Sequence, residues 1–102
     1  MQHFMETAQK TSWIFLSLAI SSKDSPSDFE GISDAADYIN RLVPTESEIK
    51  NSLNWLVTKK LVAENLGKYS LTESGKKIYT ETEAESKILL KMWKSIEEKF
   101  NK

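Results

Sequence analysis

The sequence predicts a mainly α-helical domain carrying one small β-hairpin, in the order helix, helix, helix, strand, strand, helix. Three observations carry that prediction. Two Ser/Thr-x-x-Glu pairs stand before apolar stripes at helical spacing, Pro44 separates the two stripes, and an alternating segment from Leu61 to Leu71 turns back near Gly67. A chain of 102 residues with 39% apolar content suffices for one core and is short for two, so residues 1–102 are read as a single domain.

Residues from about Phe4 to Ile20 lack Gly and Pro, and the run Trp13-Ile14-Phe15-Leu16-Ser17-Leu18-Ala19-Ile20 is apolar nearly all round. That pattern belongs to a helix packed on more than one side. The run is too short to span roughly 30 Å of hydrocarbon, and Glu6 and Lys10 before it give no net positive charge, so neither a membrane segment nor an export signal is expected. Ser21 to Ser27, rich in serine and holding Pro26, reads as a loop.

Ser27 with Glu30 forms the first capping pair, predicting a second helix to about Arg41 whose stripe is Phe29, Ile32, Ala35, Ala36 and Ile39. Gly31 weakens its beginning. Pro44 blocks continuation, and Thr45-Glu46-Ser47-Glu48 repeats the pair, so a third helix starts at Thr45 and runs to about Lys59. Leu61 to Asn65 is then one strand, Leu66-Gly67-Lys68 the turn, and Lys68 to Leu71 the returning strand. Thr72 can cap a further helix that Gly75 interrupts. The core accordingly covers about residues 4–80, and a long amphipathic helix follows over about 81–100. Its stripe is Leu89, Met92, Trp93, Ile96 and Phe100, with Glu81, Glu83 and Glu85 in its first turns and lysines toward its end, as the helix dipole favours.

Several chemistries are excluded by composition. The chain has no cysteine and therefore no disulfide, thiolate or Cys-ligated metal; a reducing, cytoplasmic setting is expected. Its one histidine, His3, falls in a terminal segment and supplies no internal imidazole. Carboxylates such as Asp34 and Asp37 need no role beyond solubility, and the three isolated glycines make no phosphate loop, so no enzyme, cofactor or metal is expected. The net charge is −1, but residues 1–48 hold eight acidic and three basic side chains while 49–102 hold seven acidic and eleven basic. A dipolar molecule of that kind can present one basic face.

The strings TESEIKNSLNWLVTKKLV and GKYSLTESGKKIY, in this order of elements, resemble the winged helix-turn-helix superfamily, with bacterial transcription regulators of the MarR and PadR type showing similar patterns. The resemblance covers about residues 27–80. It implies that the third helix, about 45–59, enters a DNA major groove while the wing, 61–71, lies on the backbone. One departure is Lys60, which stands where such proteins often have the glycine that leaves the helix at positive φ; the exit must be built differently or strained.

On a helical wheel of the third helix, Ile49, Ser52, Leu53 and Leu56 face inward and Ser47, Lys50, Asn51, Asn54 and Thr58 face outward. Asparagine can bind an adenine edge, lysine can reach guanine or phosphate, and Lys68 at the wing tip can reach phosphate. The expected partner is double-stranded DNA. A solvated helix shows the same polar face, so the alternative is a winged-helix module that binds protein and not DNA. Glu46 and Glu48 would oppose phosphate, although capping accounts for Glu48. Trp55, off the core direction, either fills a gap against the first helix or anchors a partner. The last helix either covers the core beside Trp13 and Phe15 or pairs with its own copy through Leu89, Met92, Trp93, Ile96 and Phe100, and a homodimer of the second kind is favoured.

Overall fold

The first helix, α1 (Thr7–Ser21), buries every residue from Thr11 to Ala19, and the rest of the molecule is arranged around it. The computed structural model describes residues 7–101; His3, Phe4 and the rest of the expected start of this helix lie outside them. A helix apolar on all sides must be covered on all sides. The cover comes from α2 (Phe29–Asn40), α3 (Glu46–Thr58) and α5 (Leu89–Phe100), all packed against α1. Two strands, β1 (Val62–Asn65) and β2 (Lys68–Leu71), and the helix α4 (Glu73–Glu85) complete the chain. The protein is therefore mainly α-helical with one two-stranded antiparallel hairpin.

Serines inside α1 are tolerated because each hydroxyl is satisfied locally. Ser12 donates to the Gln9 carbonyl at 2.9 Å and Ser17 to the Trp13 carbonyl at 2.7 Å. Two indoles tie neighbouring helices to α1. Trp13 donates its Nε1–H to the Ala36 carbonyl of α2 at 3.0 Å, and Trp93 of α5 donates to the Gln9 carbonyl at 2.8 Å. Ala36, completely buried, is small enough to let α2 approach so closely.

The expected Ser27–Glu30 capping pair does not form. Ser27 is buried and its backbone pairs with Tyr69 of β2, with N–H to O distances of 2.8 and 2.7 Å in the two directions. With both backbone groups engaged by a strand, Ser27 cannot begin a helix. Asp28 caps α2 instead, its carboxylate accepting from the Gly31 N–H at 2.9 Å. The second pair forms as expected, with Thr45 as N-cap of α3.

The long helix expected over 81–100 is also corrected, since α4 runs through the expected boundary to Glu85 and the chain breaks before α5. The break turns α5 back so that its apolar stripe lies on α1. Ser86 turns extended, with φ −165° and ψ 147°, and its Oγ accepts from the Ile88 N–H at 3.1 Å. The fold-back is fastened by Glu85, which accepts from Ser95 at 2.6 Å and from Lys99 at 3.3 Å. Glu81, Glu83 and Glu85 thus end α4, where the dipole does not favour them, and do not begin the last helix.

The same arrangement places most of the expected pairing stripe in the chain's own core. Met92, Trp93 and Ile96 are buried within their own chain, while Leu89 and Phe100 pack partly buried at the edge of the core. That face covers α1.

Candidate nucleic-acid interface

Helix α3 is positioned from its first turn. The Glu48 N–H donates to Thr45 Oγ1 at 3.0 Å and the Thr45 N–H donates to Glu48 Oε1 at 2.9 Å, closing the reciprocal cap. The other carboxylate oxygen of Glu48 meets Lys10 Nζ of α1 at 3.1 Å. The backbone N–H of Thr45, chiefly, and Lys10 hold the Glu48 carboxyl below its ordinary pKa against partial desolvation.

Ile49, Ser52, Leu53 and Leu56 are buried, as the wheel requires, and Ser47, Lys50, Asn51, Asn54 and Thr58 are exposed. The two glutamates of the first turn flank this polar stripe on opposite sides. Glu48 turns toward α1 through Lys10, whereas Glu46 lines a shallow groove with Phe29, Glu30 and Ser33 of α2. Trp55 is half-buried and fills space at the end of the core, its ring 5.4 Å from that of Phe100. Its free face carries the Lys59 ammonium at 5.6 Å, a cation–π contact that the sequence reading did not anticipate.

The exit from α3 needs no glycine. Lys60 takes the left-handed conformation itself, with φ 63°. Its N–H donates to the Val57 carbonyl at 2.9 Å and the Leu61 N–H to the Leu56 carbonyl at 2.9 Å, the double closure of a Schellman motif with apolar Leu61 and Leu56 at its ends. Leu61 therefore belongs to the helix exit, and β1 begins one residue later than expected. Thr72 then locks the hairpin base to α3, donating from Oγ1 to the Lys60 carbonyl at 2.7 Å and from its N–H to the Leu61 carbonyl at 3.1 Å.

Gly75 does not interrupt α4 but lies buried in its first turn, where Thr72 accepts from its N–H at 3.2 Å. A Cβ there would overlap the Leu61 carbonyl oxygen. At the other end of the hairpin, Asn65 pairs with Lys68 across Leu66 and Gly67, whose φ values of 54° and 79° define a type I′ turn. Lys68 is exposed beside that turn.

A separate apolar patch lies where α2 runs into α3. Tyr38, Leu42 and Val43 are 75%, 53% and 64% exposed, with Asp34, Asp37 and Arg41 on the same stretch also exposed. The sequence reading did not single these residues out.

The architecture defines a small, mainly helical protein with a polar helix face beside a hairpin. The chain belongs to DUF5457, a family of unknown function, whose family model matches residues 21–99. No curated protein and no solved structure matches it.

Proposed function

We propose that this chain is a winged helix-turn-helix protein that binds double-stranded DNA, with α3 in the major groove and the β1–β2 hairpin as the wing on the backbone. Its likeness to MarR- and PadR-type regulators makes transcription regulation the corresponding role. The element order supports the fold: α2, a short connection, α3, then a hairpin tied to the end of α3 through Thr72. The Ser27–Tyr69 bridge adds further support, because it puts the residue before the α2 N-cap alongside the hairpin as a rudimentary third strand.

The observation that carries the DNA reading is the α3 face itself. Ser47, Lys50, Asn51, Asn54 and Thr58 form an exposed polar stripe flanked by Glu46 and Glu48, of which Glu48 is drawn toward α1 by Lys10. Glu48 is charge-paired with Lys10, so the helix N-terminus presents less negative charge than the sequence implies. Lys59, Lys60 and Lys68 continue the positive charge along the helix end and the wing. Asparagines and a lysine at this spacing suit base edges, and the remaining lysines suit phosphates.

The alternative, a winged-helix module that binds protein, has one observation of its own: the exposed Tyr38, Leu42 and Val43 beside Asp34 and Asp37. Such a patch suits a partner with apolar and basic groups.

Fluorescence anisotropy with a pool of random-sequence duplexes at low salt separates the two. DNA binding should weaken steeply with salt, and Lys50→Ala and Lys68→Ala should each lower the slope of log K against log salt by about one unit. Absence of binding at low salt would overturn the DNA reading.

A further inference from the structure

Leu66 occupies the tip of the hairpin in a conformation that does not suit it. Both central residues of a type I′ turn have positive φ, and asparagine, aspartate or glycine normally fill them. Gly67 meets the requirement, but Leu66, at φ 54°, places a bulky side chain in the left-handed region. It gains nothing from its own chain in return, being 93% exposed, the most exposed large apolar side chain among the described residues.

The tip is nevertheless firmly built. Glu64 Oε2 accepts from the Gly67 N–H at 2.9 Å, the β1–β2 pairing continues to Asn65 and Lys68, and the Ser27 bridge holds β2 at Tyr69. A strained, apolar, rigidly presented residue marks a site where stability is given up for contact.

We propose that Leu66 is an apolar wedge that enters the DNA minor groove and unstacks a base step. This inference rests on the DNA reading above. The surroundings favour duplex DNA over an apolar pocket on a protein. Lys68 and Asn65 flank the leucine, Lys59 and Lys60 stand at the hairpin's base, and the one carboxylate within the hairpin, Glu64, is engaged by the Gly67 N–H. Cationic and amide groups around an inserted leucine are the composition of minor-groove wedges, which kink the duplex as they enter.

The test substitutes Leu66→Asn, which the turn prefers, and Leu66→Met, which retains an apolar side chain. Each is compared with wild type for thermal stability, affinity and bending, read by energy transfer across an end-labelled duplex of about 30 base pairs. The Asn variant should melt higher than wild type yet bind about tenfold more weakly, with an unchanged salt slope because no charge is lost, and it should lose the bend. The Met variant should retain affinity and bend. If Leu66→Asn binds and bends like wild type while Lys50→Ala still weakens binding, the wedge is overturned and the DNA reading stands. If wild type binds no duplex, both fall.

Discussion

Trp13 and Trp93 stack in the core with ring centroids 5.9 Å apart and planes 28° from parallel. Each also donates its indole N–H to a backbone carbonyl, Trp13 to Ala36 and Trp93 to Gln9. The pair joins α1, α2 and α5, so the terminal helix is part of the domain's own core. Trp93→Ala should therefore destabilise the protein by about 3–5 kcal/mol, measured by urea denaturation. A loss under about 1 kcal/mol would instead put the Trp93 face at an interface between copies.

The Lys60 exit makes a prediction of opposite sign. Glycine has no Cβ to oppose positive φ, while its unfolded chain is more flexible, so the gain is partly offset. Lys60→Gly should raise stability by about 0.5–1 kcal/mol. A decrease in the same denaturation experiment would show that the lysine side chain contributes more at the exit than its backbone conformation costs.

Gly75 tests packing against propensity. Alanine favours a helix over glycine by about 1 kcal/mol, yet here its methyl would overlap the Leu61 backbone oxygen, which is already fixed by Thr72. Gly75→Ala should destabilise by about 1–3 kcal/mol. Stabilisation would mean that the hairpin base moves freely relative to α4.

The Glu48 contacts add an acid-sensitive component. Because the folded carboxyl has a lowered pKa, its stabilisation is fully present above the ordinary carboxylate range and is lost as pH falls through the lowered folded value. The pair with Lys10 is partly exposed, so the effect is small, about 0.2–1 kcal/mol. Glu48→Gln should lower stability by that amount at neutral pH and flatten the decline below about pH 4.5. An unchanged acid profile would assign the decline to other carboxylates.

Much of this architecture was legible because it is local. The Thr45–Glu48 cap, Pro44, the inward and outward faces of α3 and the turn at Gly67 follow from neighbours a few residues apart. What was missed depends on distant partners. Ser27 reads as a cap until Tyr69, far along the chain, takes its backbone, although Asp28 followed by Gly31 was an available signal for the later start. The break at Ser86 lets α5 turn back onto α1, a tertiary arrangement that periodicity alone does not express. The candidate site followed the same division. Its five polar α3 residues were readable from the wheel, whereas Lys10 turning Glu48 aside and Lys59 resting on Trp55 are tertiary contacts.

Amide chemical-shift mapping during titration with duplex DNA tests DNA binding through α3 and the hairpin, because it reports which face meets the ligand. Amides from Ser47 to Thr58 and from Asn65 to Lys68 should shift progressively, while those of Leu89 to Phe100 stay in place. Shifts confined to other surfaces, or none at low salt, would contradict it.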